Sequence, residues 1–207
     1  MASARSLLLS CDISGPPEYT LPPDGRLLLL RIWKFTDTNP AATGTDLFML
    51  PLTGARILRP FLQTKATEFH ARFSPDVRWV AYCSDESGRA DVFVRPFPGP
   101  GPKWQVSSDG GTNPVWSRSG RELFYLESDK LMVVDVETTP TLRLGRPRTL
   151  FQGRYYKSLE SYAYDVVPDG LRFLMIKADP AESGEAHVNV VTNWFEEVKA
   201  KVAPAKR

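Results

Sequence analysis

The chain reads as an all-β protein, a β-propeller of about four blades with four antiparallel strands each. Three observations predict it: one turn grammar recurs four times, an unbroken apolar run follows each turn, and no gap between strands carries a helical period. The turns are Pro23-Asp24-Gly25-Arg26, Pro75-Asp76-Val77-Arg78, Arg118-Ser119-Gly120-Arg121 and Pro168-Asp169-Gly170-Leu171. Their anchors Asp24, Asp76, Ser119 and Asp169 stand 52, 43 and 50 residues apart, close to the periods of roughly 40–50 residues that mark propellers. The runs that follow are Leu27–Leu30, Trp79–Tyr82, Leu123–Leu126 and Phe173–Ile176. A strand with one wet face alternates apolar and polar residues, whereas a continuous run means cover on both faces. Parallel α/β sheets also give such runs but need crossover helices of a dozen or more residues. Small antiparallel sheets stacked radially against one another satisfy both conditions.

Taken in order, each repeat has four parts. A short apolar strand comes first, at Leu7–Leu9, Pro60–Leu62, Trp104–Val106 and Thr149–Phe151. A polar loop leads to a second strand entering the turn, at Tyr19–Leu21, His70–Phe73, Pro114–Trp116 and Tyr164–Val167. The apolar quartets are third. The fourth strands are Leu47–Leu50, Val92–Val94, Leu131–Val134 and Val188–Val191. Because the unit opens on what should be the outermost strand of a preceding sheet, either an N-terminal strand closes a ring or the chain is part of a longer propeller. Thr36 to Thr45 is a long excursion, while Glu127-Ser128-Asp129-Lys130 is a tight hairpin between the corresponding strands. In each anchor turn Pro presets φ, Asp bonds backbone groups two residues on, and Gly takes the left-handed position. Repetition at equivalent sites assigns Asp24, Asp76 and Asp169 to turn-building, and Val77 and Ser119 predict turns that are weaker or differently closed. Trp79 and Trp116 are expected to pack between sheets. Residues 1–192 form the blades; residues 193–207 form a short helix and tail. Asn193 caps that helix, its acids lie in the first turn, its lysines lie near the end, and Trp194, Val198 and Val202 share one face.

Composition narrows the function classes. The chain has 207 residues, 42% of them hydrophobic, with 26 basic against 24 acidic residues and a net charge of +2. It can build a core, but it carries no long-range field for nucleic acid or an anionic membrane. Arg154-Tyr155-Tyr156-Lys157 is too small a basic-aromatic patch to read as a nucleic-acid site. No apolar run approaches the ~20 residues of a membrane span. Ala4–Ser10 is too short for a signal-peptide core, so an export signal, if there is one, lies outside this chain. Cys11 and Cys83 make neither a disulfide framework nor a metal motif, and read as small buried side chains or one disulfide. His70 and His187 fall in different repeats without zinc spacing. Asp85-Glu86-Ser87-Gly88 lacks the ligands of a calcium loop. Gly-x-Ser-x-Gly is absent, since Trp116-Ser117-Arg118-Ser119-Gly120 lacks the first glycine. No cofactor, metal site or catalytic residue is assigned.

Three segments carry a family likeness: the Phe73–Tyr82 turn, the Ser84–Arg89 hairpin, and Gly110-Gly111-Thr112-Asn113-Pro114-Val115-Trp116-Ser117. They resemble TolB-type, WD40-related β-propeller repeats of bacteria. From about Asp46 to Val202 the chain resembles the C-terminal part of long bacterial proteins that carry such a propeller, many with a serine/threonine kinase domain upstream. The first repeat departs most, with Thr20-Leu21-Pro22-Pro23 replacing the aromatic-Ser-Pro approach. Propellers of this type commonly have six or more blades, and about four repeats are present here. Kinase motifs are absent, so the resemblance implies a non-catalytic binding or scaffold module for a protein or peptide, in a sensor or envelope protein on the periplasmic or extracytoplasmic side. The alternative is the propeller domain of a prolyl-oligopeptidase-like hydrolase whose catalytic domain lies elsewhere.

Successive connections of a four-stranded meander alternate between the two ends of the sheet. The loops before each second strand and the hairpins after each third strand should therefore share the face opposite the anchor turns. That face is expected to carry Glu68, His70, Glu86, Arg89, Asp109, Thr112, Asn113, Glu160 and Tyr162, either as a recognition surface or as solvated loops. If it is the former, reversing the charge of Arg89, or Asn113→Ala, should weaken a ligand without changing the melting temperature.

Overall fold

A computed structural model of the protein describes residues 18–33, 44–139, 141–159, 162–168, 170 and 172–176. The expected strands at Leu7–Leu9 and Val188–Val191, most of the Thr36–Thr45 excursion, Cys11, Asp169, Glu160 and the 193–202 helix lie outside the described residues.

The apolar runs become the second strands of successive antiparallel sheets. Blade I comprises β1 (Glu18–Thr20), β2 (Leu27–Trp33), β3 (Thr45–Pro51) and β4 (Arg59–Leu62); blade II comprises β5 (Glu68–Phe73), β6 (Trp79–Ser84), β7 (Asp91–Pro96) and β8 (Trp104–Gln105). Blade III has β9 (Thr112–Trp116), β10 (Glu122–Glu127) and β11 (Lys130–Glu137), with β12 (Arg143–Leu144) and β13 (Arg148–Gln152) both paired to the outer side of β11. The described part of blade IV is the pair β14 (Tyr164–Val166) and β15 (Phe173–Met175). Sheet order follows sequence order, and the short strand preceding each repeat completes the blade before it, as at Leu47↔Leu62 and Val94↔Trp104.

The second strands show why their sequence is continuously apolar. Along β6, Val80 and Tyr82 pack with Leu29 and Leu47 of blade I, while Ala81 and Cys83 pack with Trp116, Leu123 and Tyr125 of blade III. Along β10, Leu123 and Tyr125 face blade II, and Phe124 and Leu126 face Ala163 and Tyr164 of blade IV. The period of two survives, but both faces are interior. Cys83 is a free thiol inside this layer, and burial pushes its pKa well up. Trp79 meets Trp104 edge-on at 5.4 Å, and Trp116 is buried between blades II and III.

The four turns close with the same backbone hydrogen bond, so Val77 and Ser119 do not close theirs differently. Gly25, Val77, Gly120 and Gly170 donate their N–H to the carbonyls of Pro22, Ser74, Ser117 and Val167 at 2.8–3.0 Å. Ser74 Oγ donates to Asp76 Oδ1 at 2.6 Å and accepts from the Trp79 N–H at 3.0 Å; the Arg78 N–H reaches the same carboxylate oxygen at 3.2 Å. In blade III Ser119 stands in for the Asp: its hydroxyl lies 3.0 Å from that of Ser117 and accepts the Arg121 N–H at 3.3 Å. Val77 has φ 59° where the other three turns place glycine. A β-branched residue in this region carries strain of about 1–2 kcal/mol. Val77→Gly is therefore expected to melt at or above the parent despite losing a half-buried side chain, whereas Gly120→Val should melt several degrees lower. A marked drop for Val77→Gly in thermal denaturation would refute the strain assignment.

Candidate functional site

The innermost strands β1, β5, β9 and β14 bring equivalent positions of the repeats together. Counting back four residues from each turn-closing carbonyl gives Glu18, His70, Asn113 and Ala163; counting back two gives Thr20, Arg72, Val115 and Asp165. The first set lies on the side away from the anchor turns and the second beside them.

At the first level β5 and β9 each carry a bulge. His70 and Ala71 oppose Tyr82, and Asn113 and Pro114 oppose Tyr125, between the paired positions Phe69↔Cys83 and Arg72↔Ala81 in one blade and Thr112↔Leu126 and Val115↔Phe124 in the other. The first residue of each bulge has positive φ, 51° at His70 and 55° at Asn113, a conformation in which His and Asn are enriched among non-glycine residues. Both side chains are wholly buried. Asn113 Oδ1 accepts the Ala163 N–H at 2.9 Å, and Nδ2 donates to the Ser158 carbonyl at 3.4 Å. The His70 ring lies 4.9 Å from that of Phe69 and 5.4 Å from that of Tyr162. Glu18 faces Arg31 across the β1–β2 register, and Arg31 Nη1 donates to Glu18 Oε2 at 3.1 Å and to the Leu159 carbonyl at 3.0 Å. Burial draws the Glu18 carboxyl upward and Arg31 pulls it back, leaving a net rise. The Tyr162 hydroxyl donates to the Ala71 carbonyl at 2.9 Å. Ser158, Leu159 and Tyr162 are thereby tied to blades III, I and II respectively, and this end of the inner strands is filled.

The nine residues expected to form one recognition face therefore divide. Glu68, His70 and Asn113 are interior residues of β5 and β9, not loop residues; Thr112 is a half-buried member of β9, and Tyr162 is half-buried against the knot just described. Glu160 lies outside the described residues. Glu86, Arg89 and Asp109 are at the surface but engaged. Arg89 donates to Asp109 Oδ1 at 2.8 Å and to the Ser108 carbonyl at 2.7 Å, and Glu86 pairs with Lys103. Beneath them Asp91, 1% exposed at its side chain, accepts from Ser87 Oγ at 2.6 Å, Ser107 Oγ at 2.8 Å and the Gly110 N–H at 3.1 Å. Burial works against this charge, but the two serine hydroxyls, with Arg89 and Gly110, outweigh it and hold the carboxyl below the usual range. These groups fasten the Ser84–Arg89 hairpin to the loop entering blade III.

On the expected face a recess of about 450 Å³ is lined by the loop residues Thr64, Lys65, Ala66, Asp85, Glu86 and Gly88, with no inner-strand residue among them; beside the inner strands the open space lies at their other end. A cleft of about 300 Å³ is lined by Thr20, Arg72, Val115 and Asp165, the second equivalent set, and by turn residues from blades I, II and III, including Leu21, Pro23, Pro75 and Arg118. No sequence signal points to this cleft, because turn-building accounts for every anchor residue around it. A larger trough of about 810 Å³ flanks β10–β12, but no inner-strand residue lines it, and its charged residues carry both signs: Arg121, Arg143, Glu122, Asp135 and Glu137.

No protein-family model matches the sequence. No curated protein matches it either. Among solved structures it is similar to TolB of Acinetobacter baumannii, with a TM-score of 0.58 and 16% identity over 81% of this chain and 38% of that one. It is also similar to a TolB-type protein of Agrobacterium tumefaciens, with a TM-score of 0.53 and 15% identity over 69% of this chain and 51% of that one. The fold is that of a TolB-like β-propeller, and the chain spans about two-fifths to one-half of these neighbours' length.

Proposed function

We propose that the protein is a non-catalytic binding module that takes a protein or peptide at the cleft between its anchor turns, as part of a larger bacterial sensor or envelope protein. Extracytoplasmic placement and a kinase-bearing parent belong to the same reading and rest on the family resemblance. The observation that carries the proposal is the convergence of Thr20, Arg72, Val115 and Asp165, one from each repeat, around an open cleft, while the opposite end of the inner strands is filled. Clefts with apolar walls and a few convergent polar groups are the usual form of a binding site. Leu21 stands at the cleft with 44% of its surface exposed.

A photo-crosslinking amino acid placed at Leu21, and separately at Glu86, tests the assignment in a bacterial envelope fraction. Position 21 should yield a discrete protein adduct and position 86 should not, and the purified protein should not hydrolyse p-nitrophenyl esters or peptide anilides. Adducts from position 86 alone would return recognition to the opposite face. Hydrolysis abolished by a single substitution in this protein would make it an enzyme.

A further inference from the structure

We infer that Arg72 anchors the carboxylate of a bound peptide, an assignment that rests on the cleft being the binding site. Arg72 occupies the inner-strand position held by Thr20 in blade I and Val115 in blade III, both buried, with Val115 packed in the core shared by blades III and IV. An arginine there is out of place for packing. Its guanidinium carbon lies 3.6 Å from the centroid of the Tyr162 ring, and Tyr162 is itself fixed by its bond to the Ala71 carbonyl. Stacking covers one face of the guanidinium and fixes its plane. It satisfies none of the five N–H donors. Among the described residues the Arg72 guanidinium makes no hydrogen bond and no ion pair, and Nε is buried. Asp165, the acid on the same ring of positions, accepts the Val166 N–H at 2.8 Å and forms no ion pair with Arg72.

A held cation with unused, coplanar donors at a cleft walled by Leu21, Phe73, Val115 and Trp116 is complementary to a carboxylate on an apolar peptide. The guanidinium fork takes such a group through two parallel N–H···O bonds. Arg118, also lining the cleft, adds a second positive charge. The carboxylate has two sources, the C-terminus of a peptide or an acidic side chain within one, and both present the same group to the fork.

Three probes separate them: N-acetyl-Leu-Ala-Phe as the free acid, the same peptide as its C-terminal amide, and N-acetyl-Leu-Glu-Phe amide. Two-dimensional NMR of the full-length protein reads binding at the Arg72 Nε–H and at the indole N–H of Trp116, which bonds the Arg72 carbonyl at 3.2 Å. At least one carboxylate-bearing probe should shift both signals and bind about 10–100-fold more tightly than the neutral amide, the range of a hydrogen bond to a charged group. The better of the two identifies the source. Arg72→Gln should abolish that ratio, Arg72→Lys should keep part of it, and Arg118→Gln should reduce affinity while leaving the ratio largely intact. Equal binding of all three probes would overturn the anchor while leaving the cleft as a site, as would a ratio that survives Arg72→Gln. No shift with any probe up to about 10 mM, the weak end of the affinity scale, would overturn it too. In that case an adduct from position 21 would show that the binding reading stands without Arg72.

Discussion

Removing Glu18 by Glu18→Ala is expected to destabilise the protein by about 3–5 kcal/mol, the penalty for leaving one member of a buried ion pair without its partner. The two side chains are 5% and 3% exposed and face each other in register across β1 and β2. The arginine also holds the Leu159 carbonyl, so it cannot leave the interior without breaking that bond as well. Glu18→Gln keeps the shape and one acceptor, and should lose less. The double replacement Glu18→Leu with Arg31→Leu should recover only part of the loss, because an apolar pair can replace a buried ion pair but leaves the Leu159 carbonyl without its donor. Urea unfolding of the four proteins measures the series. A Glu18→Ala variant within about 1 kcal/mol of the parent, the scale of an exposed pair, would show that the ion pair is solvated and the knot loose.

Asn113→Ala should cost about 2–4 kcal/mol, combining strain at positive φ with a buried N–H left without its acceptor. Asn113 is 0% exposed, has φ 55°, and bonds both Ala163 and Ser158. Asn113→Gly restores the backbone freedom but not the bonds, so it should fall between the parent and the alanine variant. The order parent, glycine, alanine in denaturation midpoint is the signature. An unchanged midpoint for Asn113→Ala would return this residue to the role of surface contact that its loop-like sequence context suggests.

That residue marks where sequence reading runs out. The blades, the strand order within them and the positions of the turns are legible, because each is encoded locally: an aspartate or serine, followed in three of the four repeats by glycine, within a four-residue frame, then an apolar run. Covered faces leave their mark in the residues that are covered. The bulges at His70 and Asn113 are not legible, because one extra residue in a strand changes the facing of two side chains without changing the composition of the window. The Asn113-Pro114 dipeptide, a turn signal placed inside a strand, is the available clue. Arg89 differs from its expected role for another reason. It is exposed in a hairpin, as the sequence implies, but the hydrogen bonds that engage its charge come from Ser108 and Asp109 in the connection to the next blade. Arg72 is inconspicuous in the sequence because what sets it apart is a guanidinium stacked on Tyr162 with no hydrogen-bond or ion-pair partner among the described residues, which only three-dimensional neighbours reveal.

The bond from Arg31 to the Leu159 carbonyl also bears on how the protein unfolds. In repeat proteins stability is close to a sum over neighbouring units, so an array can fray from one end while the rest persists. Here a group on blade I grips a segment 128 residues later, just ahead of blade IV. Loosening either blade I or blade IV removes support from the other, so the described blades should melt together in one cooperative step. With Arg31→Leu the same array should lose that cooperativity and unzip in stages, its native-state hydrogen exchange separating into slow central blades and fast outer ones.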